Sequence, residues 1–227
     1  MELHYRLMRA FVRLILRMIC RLHVQGLEKL PRQGPMILVT NHLHFLDPPI
    51  VMAELPVRST VLVAEKWEKR PPLSWAFKAI GAVFIRRGAA DIDAVRKVQH
   101  LLERGAIVGI APEGTRSPTR SLQRGKGGAA YLGSKTGAAM VPVAVYGHER
   151  TFKELRRLRR ADVYVIVGEP FNLPAVVGPN KSRQIREMTQ EVMLRLARLL
   201  PPEYQGIYGS LLGPEQRLEP DLSMGPQ

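Results

Sequence analysis

The sequence predicts an α/β fold: a single domain with a mostly parallel central sheet flanked by helices, plus an N-terminal amphipathic helix. Short apolar segments rich in β-formers alternate along the chain with segments of helical periodicity, which is typical of a largely parallel sheet. The chain has 227 residues, of which 45% are hydrophobic, enough to bury one core. Neither an internal repeat nor a linker divides it, so we expect one domain with extensions.

The N-terminal segment, residues 2–22, is typical of a basic amphipathic helix. Its arginines lie within an arc of about 120° at 100° per residue, and most other positions are apolar. Those arginines are Arg6, Arg9, Arg13, Arg17 and Arg21. The wide apolar face favours a helix that lies in a bilayer interface with its arginines at the headgroups. A helix packed on the domain with solvated arginines is the alternative, and no apolar run reaches the ~18 residues that predict a membrane span.

The remaining elements follow in chain order. Strands are predicted at residues 36–42, 59–65, 82–87, 106–112, 140–147 and 162–168. Helices are predicted at residues 71–81, 91–105, 125–137 and 181–200. A further helix begins near Asp47, which precedes two prolines and has the features of an N-cap. The chain is thus divided into a membrane-surface helix (1–24), the α/β domain (25–205) and a C-terminal tail rich in Pro and Gly (206–227).

The net charge restricts the class of partner. Thirty-four Lys and Arg against 20 Asp and Glu give +14, which predicts a phospholipid surface, a phosphorylated substrate, an acidic carrier protein or nucleic acid. Aromatic residues make up only 6% of the chain and no nucleic-acid-binding module is recognisable, which argues against nucleic acid. Cys20 is the single cysteine, so we expect a small buried apolar residue in a reducing cytosolic compartment.

His42 and Asp47 are the first candidates for chemistry. His42 ends a predicted strand, and in an open α/β sheet ligands bind beyond the carboxyl ends of the strands. Across a loop, Asp47 can accept from one imidazole nitrogen, which fixes the tautomer and leaves the other nitrogen free to take a proton from a hydroxyl. Alternatively, His42 is an ordinary loop histidine and Asp47 only a helix cap. His44 is the nearest competitor as a base.

Two further segments carry arginines at or after a predicted strand: the first resembles a phosphate-binding site, and the second could instead be an ordinary surface strand end. Residues 112–128 combine several arginines and a lysine with glycines, which allow close backbone approach while guanidinium groups bind phosphate. This spacing differs from that of a P-loop, and a solvated basic loop is the alternative. The strand at 82–87 ends in Arg86 and Arg87, of which only one can enter a given cleft. The sequence contains neither a zinc-ligand spacing nor a GxSxG elbow, so zinc and serine mechanisms lack support.

Taken in order, these segments resemble the motifs of the glycerolipid acyltransferases, in particular the 1-acylglycerol-3-phosphate (lysophosphatidic acid) acyltransferases. The family's blocks match NHLHFLDP at 41–48, GAVFIRR at 81–87, PEGTRS at 112–117 and VPV at 141–143, with a Lys-Gly pair at 126–127. Four blocks in this order are specific, and the resemblance covers residues 25–200. The chain departs from the pattern in the arginine pair 86–87, in His44 and in the basic segment 150–160.

The resemblance implies an acyltransferase that moves a fatty acyl group from acyl-CoA or acyl carrier protein to the free hydroxyl of lysophosphatidic acid, with no cofactor and no metal. It implies His42 as the general base and Asp47 as the residue that orients it. The implied substrate-binding residues are Arg87, Glu113, Gly114, Thr115, Arg116 and Lys126.

The same resemblance, with the charge, implies a peripheral or monotopic protein at the cytoplasmic face of a membrane, bound to anionic lipid and not to nucleic acid. Glycerol 3-phosphate or another lysolipid as acceptor is an alternative, and so is a non-catalytic peripheral lipid-binding protein. An acidic acyl carrier protein could dock on the basic cluster at 153–160.

Overall fold

The centre of the fold is a seven-stranded sheet. The computed structural model describes residues 3–71, 73–79, 81–85 and 92–213, except for the side chains at positions 4, 73, 76 and 79. Within these residues the strands are β1 (Cys20–Gln25), β2 (Met36–Thr40), β3 (Ser59–Ala64), β4 (Val83–Ile85), β5 (Ile107–Ile110), β6 (Ala139–Tyr146) and β7 (Ala161–Val167). Their order is β1-β7-β6-β2-β5-β3-β4, and each neighbouring pair is parallel except β6 with β7. The predicted fold class is confirmed.

Helices cover both faces of this sheet. They are α1 (Leu3–Ile19), α2 (Asp47–Glu54), α3 (Leu73–Ala79), α4 (Ile92–Glu103), α5 (Gly128–Thr136), α6 (Thr151–Leu155) and α7 (Lys181–Ala197). One core lies between the sheet and α4, α5 and α7, and a second lies between the sheet and α1 and α2. In β2, Ile37 and Val39 belong to the first core, whereas Met36 and Leu38 belong to the second. A central strand covered on both faces is therefore apolar throughout.

The N-terminal helix is shorter than predicted, because residues 20–25 form the edge strand β1. The predicted helix over 2–22 is wrong beyond Ile19. From Cys20 onward the pattern has a period of two, since Cys20, Leu22 and Val24 pack on the second core while Arg21 is exposed. Arg21 also fits the helical spacing of the preceding arginines, which concealed the change of period. Cys20 is 1% exposed, so its prediction as a buried apolar residue is confirmed.

The helix α1 packs on the domain through one face and exposes an apolar stripe on the other. Tyr5 and Leu16 are buried, while the guanidinium groups of Arg9 and Arg13 donate to α2, at Ala53 O (3.0 Å) and at the Glu54 carboxylate (3.0 and 3.2 Å). These two arginines therefore anchor α1 to the domain. The prediction that they lie at the lipid headgroups on the outer side of the helix is wrong for Arg9 and Arg13. The outward stripe consists of Leu3, Leu7, Phe11, Leu14, Ile15 and Met18.

The first part of the predicted C-terminal tail is folded onto the domain. The helical turn Gly206–Leu211 lies in the segment predicted as a tail, but Tyr208 and Leu212 are buried in the first core. Positions 214–227, the rest of that segment, lie outside the described residues.

None of the described helices is long and apolar enough to cross a membrane.

Candidate active site

The end of β2 is fixed to the end of β6 by a buried asparagine. Asn41 follows β2 directly and is fully buried, and its side-chain amide donates to Val145 O (2.7 Å) and accepts from Val145 N–H (2.8 Å). These two bonds hold the chain at the carboxyl edge of the sheet. His42, the next residue, therefore begins the loop between β2 and α2 at a defined position.

His42 and Asp47 form a pair, which is one of the two arrangements that the sequence left open and the one that the family resemblance implied. Nδ1 of His42 lies 2.8 Å from Oδ2 of Asp47, and the His42 side chain is only 13% exposed. Asp47 is the first residue of α2 and Leu46 is its N-cap, so the prediction of Asp47 as N-cap is wrong. Its carboxylate turns back to the loop, where the same Oδ2 accepts the backbone N–H of His44 at 2.9 Å. Asp47 therefore contacts the ring of His42 but only the backbone of His44.

The charge of Asp47 is stabilised by two histidines. Burial alone would raise the pKa of this carboxyl, but its contacts with His148 and His42 outweigh burial and lower the pKa below its usual value. Asp47 is 2% exposed and remains ionised at neutral pH.

Burial beside His148 lowers the pKa of His44. The centroid of the His44 ring lies 4.3 Å from that of Phe45 and 6.0 Å from that of Phe152.

His148 is a part of the site that sequence reasoning missed. It is fully buried, and its Nε2 lies 2.5 Å from Oδ1 of Asp47, the oxygen that His42 does not contact. It follows β6 after Gly147, so it lies at the same edge of the sheet as His42. A histidine directly after the VPV-containing strand was the available signal, but sequence alone does not show that this strand adjoins the one before His42.

Glu113 braces the loop that carries His42. One carboxylate oxygen accepts the backbone N–H of His42 at 2.8 Å, and the other accepts that of Gln123 at 2.9 Å. The backbone N–H of Ser117 in turn donates to His42 O at 2.8 Å. Glu113 is 2% exposed, and burial raises its pKa to about 7 against the opposing effect of the two N–H donors. PEGTRS and NHLHFLD are thus joined through the backbone of His42.

The remaining residues of the predicted substrate site are partly assembled. Gly114 has a left-handed backbone, with φ +69°, and lies beside the cavity described below. A Cβ there would lie 3.0 Å from Nζ of Lys126, so the lysine side chain crosses directly over this glycine. Thr115 and Arg116 are exposed next to it. Arg87 lies outside the described residues, whereas Phe84 and Ile85 of the same block form part of β4.

Comparisons with known proteins identify the family. The family model described as Acyltransferase matches residues 21–146, more than half of the chain and the whole of the His42–Asp47 loop. The chain belongs to this acyltransferase family. The predicted family resemblance is thereby confirmed.

Two curated relatives and one solved structure show what this chain is similar to within the family. It is 30% identical over 159 residues to a chloroplastic 1-acyl-sn-glycerol-3-phosphate acyltransferase of Arabidopsis thaliana, a match over 67% of this chain and 44% of the relative. It is 29% identical over 184 residues to the lyso-ornithine lipid O-acyltransferase of Pseudomonas aeruginosa, over 73% and 69% of the two chains. The crystal structure of the 1-acyl-sn-glycerophosphate (LPA) acyltransferase PlsC from Thermotoga maritima matches with a TM-score of 0.63 at 22% identity, over 83% of this chain and 78% of that one.

The structural match supports the fold alone, because its sequence identity is low. The acyltransferase chain spans about half the length of some of the curated relatives that it matches, with shares of 44%, 44% and 62% in three of them.

A cavity adjoins His42 in this member of the acyltransferase family. Apart from His42, Asp47 and Thr40, its walls are apolar or lack a side chain: Pro48, Val51, Val61, Leu62, Ile85, Gly109, Ala111 and Gly114. Val108 and Ile110 of β5 belong to the first core, so Gly109 faces the opposite side of the sheet, where it borders the cavity. The imidazole therefore lies beside a mostly apolar space. In the described part of the chain, no cluster of His, Cys, Asp or Glu is arranged to hold a metal ion.

Proposed function

We propose that this protein transfers a fatty acyl group from a thioester donor to the free hydroxyl of lysophosphatidic acid, giving phosphatidic acid. The observation that carries the proposal is the 2.8 Å contact between His42 Nδ1 and the buried Asp47, beside an apolar cavity. The names of the relatives, which are mostly 1-acyl-sn-glycerol-3-phosphate acyltransferases, support this substrate class.

The proposed reaction needs only one base. With Nδ1 bonded to Asp47, His42 has Nε2 available to take the proton of the acceptor hydroxyl. The hydroxyl oxygen then attacks the thioester carbonyl carbon, the C–S bond breaks, and the leaving thiolate takes the proton from His42, which regenerates the base. The negative charge of Asp47 stabilises the imidazolium between these two proton transfers. Protons and electrons balance without a metal or a cofactor.

Positive charge beside His42 supports a phosphate-bearing acceptor. We propose that Arg116 and Lys126, which lie on the loop joined to His42, contact the phosphate, with Gly114 allowing the lysine to approach. Arg87 has the same role in this proposal. The similarity to a lyso-ornithine lipid O-acyltransferase favours a second candidate, transfer to a lysolipid that lacks phosphate, which would use the same base.

We propose further that α1 lies on an anionic membrane. Its exposed stripe includes Leu7 (62% exposed), Phe11 (63%) and Met18 (68%), too many adjacent apolar side chains for a surface in water. Arg6 and Arg17 are exposed along one edge of that stripe, where lipid headgroups would neutralise them. The cytoplasmic leaflet is part of this proposal, because acyl thioesters are available on that side.

The decisive experiment measures transfer from labelled palmitoyl-CoA to lysophosphatidic acid by the purified protein in anionic vesicles. His42→Ala should reduce kcat by about 10²- to 10⁴-fold. The matched control is His100→Ala, which removes a histidine that is 61% exposed on α4 and should leave kcat unchanged. Wild-type levels of product from His42→Ala would refute the mechanism. Transfer to lyso-ornithine lipid but not to lysophosphatidic acid would select the second candidate.

A further inference from the structure

We propose that His148 is a positioning residue for acyl transfer, holding the Asp47 carboxylate so that its other oxygen meets His42. This inference rests on the proposed function. Nε2 of His148 lies 2.5 Å from Oδ1 of Asp47, while Oδ2 lies 2.8 Å from Nδ1 of His42. The two histidines thus lie on the two oxygens of one carboxylate.

The position of Asp47 is determined from both sides. Oδ2 also accepts the backbone N–H of His44 at 2.9 Å, so rotation of the carboxylate would break contacts at both oxygens. Such rotation would leave a buried charge without a partner, which is costly at 2% exposure. His148 removes that freedom. The carboxylate therefore keeps the geometry that fixes the tautomer and the direction of the His42 ring.

His148 lies next to further buried polar groups. Its Nδ1 lies 4.0 Å from Oε2 of Glu149, whose side chain is 3% exposed. The hydroxyl of Tyr204 donates to Oε1 of that glutamate at 2.6 Å, and Nε of Arg150 lies 3.4 Å from the same oxygen. A row of polar side chains thus leads from Asp47 towards the surface at Arg150.

The backbone around His148 is equally restricted. Gly147 has φ +89°, and a Cβ there would lie 2.2 Å from the carbonyl oxygen of Asp162 on β7. Only glycine fits this close approach, which sets where the turn that carries His148 begins. His148 does not border the cavity beside His42. Its effect on the reaction therefore passes through Asp47, which defines a positioning residue and not a catalytic one.

The test compares two substitutions of His148. His148→Leu removes both ring nitrogens and keeps a side chain of similar volume. His148→Gln keeps an N–H donor at about the distance of Nε2 from the backbone. We expect the leucine variant to lose kcat by about 10- to 100-fold with little change in either KM, because misplacement of a catalytic group lowers the chemical step. The glutamine variant should recover most of that loss. His23→Leu is the matched control, since it removes an exposed 2.9 Å His–Asp contact, with the side chain of Asp162, that does not include Asp47.

Melting temperatures and a spectroscopic readout separate positioning from folding and from the proposed function. In protein labelled with ¹⁵N-histidine, the proton on His42 Nδ1 should resonate downfield in the wild type, His148→Gln and His23→Leu, and should shift or disappear in His148→Leu. This readout does not require turnover. An unchanged resonance in His148→Leu, or wild-type kcat in that variant while His42→Ala is inactive, would overturn the inference. Equal losses of kcat and melting temperature in both His148 variants would also overturn it. Product from His42→Ala would instead refute the proposed function.

Discussion

The backbone N–H of His42 donates to the buried carboxylate of Glu113 at 2.8 Å, so the proposed base is held by its main chain as well as by Asp47. The second oxygen of Glu113 accepts the backbone N–H of Gln123, so the carboxylate joins the two segments. In the family resemblance Glu113 belongs to the substrate site. The geometry of Glu113 gives it a further contribution, because its bond to the backbone N–H fixes the main-chain position of His42.

Glu113 predicts a pH dependence of stability. Burial raises its pKa from 4.5 to about 7, so the folded chain binds this proton more tightly than the unfolded chain. The stabilisation from this group is thus complete below about pH 4.5 and is lost as the pH rises through about 7, by at most about 3 kcal/mol. Denaturant unfolding at pH 5, 6, 7 and 8 measures it by difference from Glu113→Gln, which cannot titrate. Parallel curves for the two proteins would contradict the prediction.

Replacement of Asp47 by asparagine should separate charge from shape. The amide is almost isosteric, but it carries no charge to stabilise the His42 imidazolium, and its NH₂ group faces one of two histidines. We expect kcat to fall by about 10²- to 10⁴-fold, as for a histidine held in the wrong tautomer. The measurement is steady-state acyl transfer with the melting temperature as the folding control. Asp162→Asn, at the exposed contact with His23, is the matched control and should retain full activity.

The sequence predicted most of the fold, and the failures have a common physical origin. Alternation of strands and helices along the chain predicted six of the seven described strands, because each central strand is apolar by local pattern. The edge strand β1 was missed because Arg21 satisfies both a helical spacing and the exposed side of a strand. The short separation of five residues allowed His42 to meet Asp47, and the family resemblance selected this arrangement over a loop histidine and a helix cap. His148 reaches Asp47 only through the pairing of β6 with β2, which no local pattern encodes.

The orientation of buried carboxylates was equally inaccessible from the sequence. Asp47 before two prolines has the composition of a helix cap, yet its carboxylate turns towards the histidines. Glu113 lies among arginines and glycines, yet it binds backbone N–H groups. In both cases the residue type and the location were informative, while the partner depended on loops that meet only in the folded chain.

The exposed stripe of α1 predicts how vesicle binding will respond to substitution. Phe11→Gln with Met18→Gln should lower partitioning onto anionic vesicles by at least about tenfold, because each large apolar side chain contributes on the order of 1.5–3 kcal/mol when buried. Ile207→Gln with Leu211→Gln is the matched control, since those residues are 57% and 54% exposed elsewhere. Co-sedimentation at low and high salt measures both pairs. Equal binding by the two double variants would exclude α1 as the membrane contact.

The basic segment after α6 predicts the response to an acidic donor. Arg156 and Arg159 are exposed there, so free acyl carrier protein should inhibit transfer from the carrier-bound donor, and reversal of both charges to Glu should weaken that inhibition about tenfold or more. Reversal of Lys181 and Arg186, exposed on α7, is the matched control and should leave inhibition unchanged. Inhibition constants provide the measurement. If both reversals behave like the wild type, the carrier does not dock at this segment.

Gly109 predicts the acyl-chain preference. A Cβ at this position would lie 3.6 Å from Cγ1 of Val61 and 3.8 Å from O of Thr60, which is ordinary contact, so alanine should fold normally. Valine suits a strand but extends further into the cavity beside His42. If the acyl chain occupies this cavity, Gly109→Val should reduce kcat/KM for palmitoyl-CoA relative to decanoyl-CoA by about tenfold or more, the scale at which a pocket discriminates a methylene group or two. Equal losses for the two donors, with an unchanged melting temperature, would mean that the acyl chain lies elsewhere.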